Sequence, residues 1–275
     1  MSRERKQSIG SVHRLVQFTD PHIGGRPDYQ LLGLDTGHTL DEVLRAIGAQ
    51  QPGADLLVAT GDISANGSEA AYRRFLQKMQ PVRTPWYWLP GNHDDAARMR
   101  QFAPSRCAEL VALGNWRLLL LDTSLEGHIC GGLSDEQLTR LQQLLTECRE
   151  HPVMILMHHQ PVPVGSDWID GHMLREGAER FLQLIGDAEN VKALVWGHVH
   201  QQFDSRLDRP GLGSVGLHAT PSTSVQFTPG SGPFAVDEEM PGYRWFELCD
   251  DGSYETGVER VTVSEYSVDL ASAGY

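Results

Sequence analysis

Apolar residues along the chain fall into short runs separated by longer amphipathic stretches. Five runs are rich in branched and aromatic residues and end at glycine or polar positions, which is the pattern of buried strands. They cover residues 16–18, 56–59, 86–89, 153–157 and 193–196. After residue 200 the pattern changes to short strands and turns, and it predicts strands at residues 215–220, 243–248 and 254–263.

Four amphipathic stretches lie between these runs and carry apolar residues three or four positions apart, as helices packed on a sheet do. The apolar stripes are Leu40, Val43, Leu44 and Ile47; Tyr72, Phe75, Leu76 and Met79; Leu138, Leu141 and Leu145; and Ala178, Phe181, Leu182 and Ile185. Capping boxes are predicted at Thr39 with Glu42 and at Ser134 with Gln137. Gly186 is predicted to end the fourth helix.

Strand runs that alternate with amphipathic helices predict an α/β fold. The length of 275 residues suits one domain over residues 1–275, with an N-terminal arm at residues 1–11 and a C-terminal tail at residues 264–275. Residues 228–242 are rich in glycine and proline and are predicted to form a long loop.

Lys and Arg total 23 against 36 for Asp and Glu, so the formal charge is −13. A surface of this sign repels polyanions, which excludes bulk nucleic-acid binding but admits a small anion held through bound cations. The N-terminus has no apolar signal segment and no run is long enough to span a membrane, so we expect a cytoplasmic protein with no membrane partner. The four widely spaced cysteines are expected to be free thiols. Oligomeric state is left open, a homo-oligomer included.

Polar residues with metal-binding side chains follow each of the five strand runs. They are Asp20 and His22; Asp62; Asn92, His93 and Asp94; His158 and His159; and His198 and His200. Residues two apart in an extended strand point to the same side, so Asp20 with His22, and His198 with His200, can each present two ligands to one point. Open α/β sheets place their sites at such strand ends. A nitrogen and oxygen ligand set without thiolate favours iron or manganese, with zinc as an alternative.

The order Asp-x-His, Gly-Asp, Gly-Asn-His-Asp, His, Gly-His-x-His, running from Asp20 to His200, resembles the signature of the calcineurin-like metallophosphoesterases. The resemblance implies a four-layer α/β/β/α sandwich of two mixed sheets flanked by helices. It also implies two divalent metal ions per chain. One ion would be held by Asp20, His22 and His200, the other by Asn92, His158 and His198, and Asp62 would bridge the two.

Two adjacent metal ions can activate a water molecule and neutralise a phosphoryl transition state. Two divalent ions, two carboxylates and one hydroxide sum to about one positive charge, which matches a phosphodiester monoanion better than a monoester dianion. The resemblance implies in-line attack by metal-bound hydroxide, with His93 as the general acid that protonates the leaving oxygen. Asp94 either orients the His93 ring or caps a turn.

Residues around 89–94, 168–170 and 219–227 resemble the bacterial class III cyclic-AMP phosphodiesterases. This resemblance implies hydrolysis of 3',5'-cyclic AMP to 5'-AMP, with a cyclic nucleotide as the small-molecule partner. The candidate substrate contacts are Asn66, Trp168, His172, Thr223, Gln226 and Phe227.

Two alternatives stay open. One is a broader phosphodiesterase acting on glycerophosphodiesters or other phosphate esters, and the other is a scaffold that keeps the fold without catalysis. His151, His172 and His218 are interpreted as hydrogen-bonded structural residues, which for His172 is the alternative to a substrate contact. His159 is interpreted as a neighbour of the site, and His38 and His128 as solvated.

Overall fold

In a computed structural model, which describes residues 11–274, the chain forms two large β-sheets with helices outside them. All but the last position of the expected N-terminal arm lies outside the described residues. The strands are β1 (Val12–Phe18), β2 (Leu56–Thr60), β3 (Trp86–Leu89), β4 (Leu110–Leu113), β5 (Trp116–Leu120), β6 (Gly131–Gly132), β7 (Val153–Leu156), β8 (Leu174–Glu176), β9 (Val191–Trp196), β10 (Phe203–Arg209), β11 (Gly213–Ala219), β12 (Gln226–Phe227), β13 (Val236–Asp237), β14 (Gly242–Cys249) and β15 (Tyr254–Arg260). The helices are α1 (Thr36–Gln50), α2 (Glu69–Met79), α3 (Ala96–Phe102), α4 (Asp135–Glu147), α5 (Asp167–Asp170) and α6 (Ala178–Asp187).

Both large sheets are mixed. The first has the order β15-β14-β1-β2-β3, and the second has the order β10-β11-β9-β7-β5-β4. Strands β1, β2 and β3 run parallel, as do β5, β7, β9 and β11, whereas β14, β15, β10 and β4 are antiparallel to their neighbours. The chain therefore returns after β13 to complete the first sheet beside β1.

Three apolar layers hold these elements together. The central layer packs the facing sides of the two sheets and includes Leu15, Val58, Leu156 and Val195. A second layer joins the outer side of the first sheet to α1 and α2, and a third joins the outer side of the second sheet to α4 and α6. The molecule is thus the expected α/β/β/α sandwich.

Alternation along the central strands explains why both faces of each sheet are apolar. In β2, Leu56 and Val58 face the other sheet while Leu57 and Ala59 face the helices. Every residue of β2 is buried, as expected for parallel strands covered on both sides. The continuous apolar runs in the sequence reflect this double burial.

Helix boundaries follow the prediction with two corrections. Helix α4 has the predicted capping box, in which Ser134 and Gln137 each bond the other's backbone. The box predicted at Thr39 is wrong, because α1 begins one turn earlier, where the Asp35 side chain accepts a hydrogen bond from the His38 N–H. Helix α6 runs one residue past Gly186.

Some elements lacked a clear signal in the sequence. They are α3, the β4–β5 hairpin and β10. The predicted loop at 228–242 contains β13, which pairs with β12. The predicted tail lies against the rest of the chain, since the Asp269 N–H donates to the Leu32 carbonyl and Tyr266 packs on two of the apolar layers. Within residues 11–274, no helix combines the length and apolarity needed to cross a membrane.

Candidate metal centre

The candidate ligands lie in loops that directly follow parallel strands. Asp20 and His22 follow β1, Asp62 follows β2, Asn92 follows β3, His158 follows β7, and His198 and His200 follow β9. The carboxyl ends of these strands meet at one edge of the sandwich. Backbone bonds hold two of the loops together, since the N–H groups of Asp20 and His22 donate to the carbonyls of Gly61 and Asp62.

The seven candidate side chains form two adjoining groups. In the first, the Nε2 atom of His200 lies 3.2 Å from Nε2 of His22 and 3.3 Å from Oδ1 of Asp20. In the second, Nε2 of His158 lies 3.2 Å from Oδ1 of Asn92. Asp62 lies between them.

Asp62 connects the groups through one oxygen. Its Oδ2 atom is 3.5 Å from Nε2 of His22 and 3.4 Å from Nε2 of His158. His198 completes the second group, because a ring nitrogen of His198 and one of His158 lie within 4.8 Å of each other. The structure therefore brings all seven predicted ligands together.

The backbone at these positions is strained. Asp20, His22, Asp62, His198 and His200 all adopt positive φ angles, between 43° and 65°. Positive φ is unfavourable for residues with a Cβ atom and persists where the surrounding structure enforces it, often at functional sites. Elsewhere in residues 11–274, Leu32 and Glu265 are the other non-glycine residues with positive φ.

Hydrogen bonds fix the direction of two histidine rings. The Nδ1 atoms of His158 and His200 each lie 2.8 Å from a backbone carbonyl, of Thr60 and Val225 respectively. A ring nitrogen bonded to a carbonyl must carry a proton, so in the neutral ring it is Nε2 that has the lone pair available to a metal ion. Nε2 of His198 is buried and has no hydrogen-bond partner within residues 11–274. A bound cation would satisfy these lone pairs, so the residues fit a pair of divalent metal ions.

Electrostatics at the centre also favour cations. Burial alone would lower the pKa of His158, but the carboxylates of Asp62 and Asp20 raise it to about 9. Burial lowers the pKa of His22 to about 3, and Asp62 only partly offsets this. Two buried carboxylates therefore face histidines that differ in their affinity for protons. Metal ions supply the positive charge that the carboxylates need.

Residues after β11 support the first ligand loop. The hydroxyls of Ser222 and Ser224 both donate to the Asp20 carbonyl, at 2.8 and 2.9 Å. The Phe227 ring stacks on His200, with centroids 4.1 Å apart and planes 7° apart. The stretch 219–227 thus positions two ligands.

His93 lies beside Asp62 and His22 and is partly exposed. Its backbone N–H donates to Oδ1 of Asp62 at 2.9 Å, and its Nδ1 atom lies 3.1 Å from the Ala65 carbonyl. The ring of His22 meets it edge to face, with centroids 4.8 Å apart. His93 therefore projects toward the ligand groups.

Asp94 does not orient the His93 ring, which corrects that expectation. Its carboxylate accepts bonds from the backbone N–H groups of Ile63, Ser64 and Gly91 and from the Tyr72 hydroxyl. The alternative role, capping a turn, describes it better. Burial and the nearby charge of Asp62 raise the pKa of Asp94 to about 6.

Three of the six predicted substrate contacts lie in the cleft beside the ligands. Trp168 and Phe227 line a cavity of about 220 Å³ that also touches Asn92 and His93. Asn66 lines a second cavity of about 850 Å³, which touches the same two residues.

Two of the other three predicted contacts need correction. The Gln226 side chain is buried, bonds the carbonyls of Ser222 and Ser224, and accepts from Arg260, so its groups are already used. Thr223 is fully buried and lines neither cavity. His172 packs edge-on against Trp168, and its contact with substrate stays a prediction. For Gln226 and Thr223, membership of the 219–227 motif was the wrong guide.

Several supporting residues were missed from the sequence. Buried Gln17 donates from Nε2 to the Thr60 hydroxyl and the Trp196 carbonyl. Ile129, in the loop between β5 and β6, lines the first cavity. Gln17 had one signal, a polar residue inside an apolar run. Ile129 had none, because its loop bears no ligand motif.

His151 and His218 are hydrogen bonded, as predicted. His151 lies 2.8 Å from the Asn115 amide oxygen, and His218 contacts both Asp204 and Tyr254. His128 is exposed, and the four cysteines are free thiols.

Comparison with known proteins gives a consistent result. The family model for calcineurin-like phosphoesterase matches residues 13–202. Over 95% of its length, the chain is 41% identical to the 3',5'-cyclic adenosine monophosphate phosphodiesterase CpdA of Pseudomonas aeruginosa, covering 94% of that protein. The corresponding protein of Escherichia coli K12 is 40% identical over 95% of this chain and 94% of its own.

Solved structures share the fold at low sequence identity. A dimetal phosphatase from Danio rerio matches 91% of this chain and 99% of its own, with a TM-score of 0.63 at 15% identity. A purple acid phosphatase from yellow lupin matches 92% of this chain and 53% of its own, with a TM-score of 0.68 at 15% identity. The chain belongs to the calcineurin-like phosphoesterase family.

Proposed function

We propose that the chain is a binuclear metal-dependent phosphodiesterase that hydrolyses 3',5'-cyclic AMP to 5'-AMP. The observation that carries the proposal is the gathering of seven Asp, Asn and His side chains from both sheets at one edge of the sandwich, with His93 beside them in an open cleft. The substrate follows from relatives 41% and 40% identical over 95% of this chain, both named for cyclic-AMP hydrolysis.

Two divalent ions are assigned to the two side-chain groups. Asp20, His22 and His200 would hold one, and Asn92, His158 and His198 the other, with Asp62 contributing to both. When bound, the ions would activate water and offset the negative charge of the phosphate. Histidine nitrogen with carboxylate and amide oxygen favours iron or manganese, with zinc as the alternative.

His93 supplies the proton for the departing 3' oxygen. Its Nδ1–H is bonded to the Ala65 carbonyl at 3.1 Å, so proton transfer to the substrate falls to Nε2. An imidazole is suited to this task at neutral pH. The bond from the His93 backbone to Asp62 at 2.9 Å fixes the position of the ring relative to the ligands.

The polar groups around Asp20 keep the ligand loop rigid. Its carbonyl accepts from two serine hydroxyls, and one carboxylate oxygen accepts from the Thr19 hydroxyl at 2.7 Å. Both carboxylate oxygens also lie within 3.2 Å of the His198 backbone nitrogen. This arrangement would hold the ligands in place before substrate binds, which lowers the cost of reorganisation during the reaction.

Product analysis tests the proposal. Purified protein is loaded with Mn²⁺ or anaerobically with Fe²⁺ and incubated with cyclic AMP, and the expected product is 5'-AMP without 3'-AMP. Cyclic GMP and glycerophosphocholine serve as comparison substrates. Slow turnover of cyclic AMP beside rapid turnover of glycerophosphocholine would favour the broader phosphodiesterase, and no turnover of any diester by the loaded protein would favour the scaffold.

A further inference from the structure

We propose that Ile129 and Trp168 form the nucleobase pocket of this site. This inference rests on the proposed function, because it names the part of the cleft that receives the base of the nucleotide. The cavity of about 220 Å³ is lined by polar residues, Asp62, Asn92, His93, His128 and His198, and by apolar ones that include Ile129, Trp168 and Phe227. It therefore combines candidate metal ligands with apolar surface.

Ile129 is unusually open to solvent for a large apolar residue. Its exposed fraction is 55%, the highest among the large hydrophobic side chains in the described part of the chain. The other exposed ones, Val12, Leu110 and Leu270, do not line this cavity. An apolar side chain at the mouth of a cleft is typical of ligand contact, because covering it removes apolar surface from water.

Trp168 lines the same cavity and packs against two phenylalanine rings. Its ring contacts Phe227 and Phe234 edge to face, with centroids 5.1 and 4.8 Å away. Phe227 itself is 3% exposed and stacks on His200, so it connects the pocket to a candidate metal ligand. Trp168 is half-buried and can present ring surface to a flat ligand.

The second cavity decides which way the nucleotide lies. This cavity, of about 850 Å³, also touches Asn92 and His93, but its walls carry Asp95, Arg98 and Asp122. The faces of a purine are apolar, and burying them against charged groups would desolvate those charges without compensation. With the phosphate near Asn92 and His93, the base therefore lies toward Ile129 and Trp168.

The loop that carries Ile129 is anchored next to the ligands. Nε2 of the buried His159 lies 3.0 Å from the Ile129 carbonyl, and Nδ1 lies 2.8 Å from the Thr123 hydroxyl. The ring accordingly donates from Nε2 and accepts at Nδ1. A Cβ atom at Gly131 would lie 2.5 Å from Cγ of His159, so glycine permits this close approach. His159 is thus a positioning residue between the ligand strand and the pocket.

Inhibition constants test the pocket with three probes that share a phosphate. The probes are 5'-AMP, ribose 5-phosphate, which lacks the base, and inorganic phosphate. They are measured against whichever diester the loaded wild-type protein turns over. For Ile129→Ala we expect the inhibition constant of 5'-AMP to rise about tenfold, from the lost apolar contact, and the other two to stay within about twofold.

Leu110→Ala is the matched control, since Leu110 is an exposed apolar residue outside both cavities. It should leave all three constants unchanged. An unchanged constant for 5'-AMP in Ile129→Ala would overturn the inference, as would an equal rise for all three probes. The probes test binding separately from hydrolysis of cyclic AMP. If the wild-type protein does not hydrolyse cyclic AMP but Ile129→Ala still raises the inhibition constant of 5'-AMP selectively, the proposed function is wrong and the pocket is supported.

Discussion

The ring of Phe227 lies flat on the ring of His200, with centroids 4.1 Å apart and planes 7° apart. The Nδ1 atom of His200 lies 2.8 Å from the Val225 carbonyl. Two contacts from the same short segment therefore fix the orientation of one ligand. Mutation of a residue that holds a metal ligand in place commonly lowers metal affinity by about 10- to 100-fold.

Phe227→Ala should weaken metal binding at the His200 group. Loss of the stacked ring leaves space beside His200, and we expect metal affinity to fall about tenfold and the free energy of unfolding to fall by about 3 kcal/mol. Calorimetric titration with Mn²⁺ and urea unfolding of the metal-free protein measure the two effects. Phe227→Leu, which keeps more of the side-chain volume than alanine does, should lose less of both. Wild-type metal affinity in Phe227→Ala would contradict the supporting role.

Gly91→Ala should disrupt the centre while preserving the fold. An added Cβ atom at Gly91 would lie 2.7 Å from Nε2 of His158 and would also press on Asp62. We expect metal content to fall by at least one ion per chain, measured by elemental analysis after gentle purification. Gly48→Ala is the control, because nothing lies within 4 Å of a Cβ atom there. That helical substitution should stabilise the protein by about 0.5–1 kcal/mol. Full metal content in Gly91→Ala would count against the assigned ligands.

His93→Ala should separate catalysis from metal binding. The assigned role is proton donation, so we expect turnover to fall by about 10² to 10⁴ with metal content unchanged. The loss should be smaller for a diester with a good leaving group, such as bis-p-nitrophenyl phosphate, because p-nitrophenolate departs without a proton. Equal losses for cyclic AMP and this substrate would argue against general acid catalysis.

Gln17→Ala should destabilise the junction of the two sheets. The Gln17 amide is fully buried, donates to the Thr60 hydroxyl and the Trp196 carbonyl, and accepts from the Thr220 hydroxyl. Removing it leaves buried polar groups without partners, which costs about 2–3 kcal/mol of unfolding free energy. Chemical denaturation measures the change. Gln143→Ala, at an exposed position of α4, should shift stability by less than about 0.5 kcal/mol.

Asp204→Asn should lower stability at neutral pH and have little effect in acid. Partial burial alone would raise the pKa of Asp204, but bonds from His218 and Arg244 lower it to about 2, from an ordinary value of 3.8. The carboxylate therefore stabilises the fold fully above about pH 4, and this contribution disappears as the pH falls toward 2. Because the side chain is 42% exposed, solvent screening limits the effect to about 1 kcal/mol at pH 7.

Urea unfolding of the metal-free protein between pH 7 and pH 3 measures this difference. The control is Asp208→Asn on the same strand, where the partner Arg206 and the carboxylate are both exposed. It should change stability little at any pH. A constant gap between wild type and Asp204→Asn across this range would contradict the assigned ion pair.

The sequence by itself predicted an α/β fold and placed the candidate ligands at the ends of its strands. Strands buried on both faces leave continuous apolar runs, and side chains that follow such runs must lie at strand ends. Asp20, Asp62 and His158 could be placed on this basis, and the structure brings them together. The start of α1 was predicted a turn too late, because Asp35 caps the helix and the local pattern at Thr39 imitates a capping box.

Tertiary structure decided what surrounds the ligands. The bonds that place Ile129 beside the centre run through His159, 30 residues away in sequence, and those that fix Asp20 come from serines more than 200 residues later. Such contacts leave no periodic signal, because they depend on how loops meet after both sheets have packed. For the same reason the sequence could not show that the Gln226 amide donates to carbonyls of its own loop. It also could not show that Ile129 is exposed at the cleft.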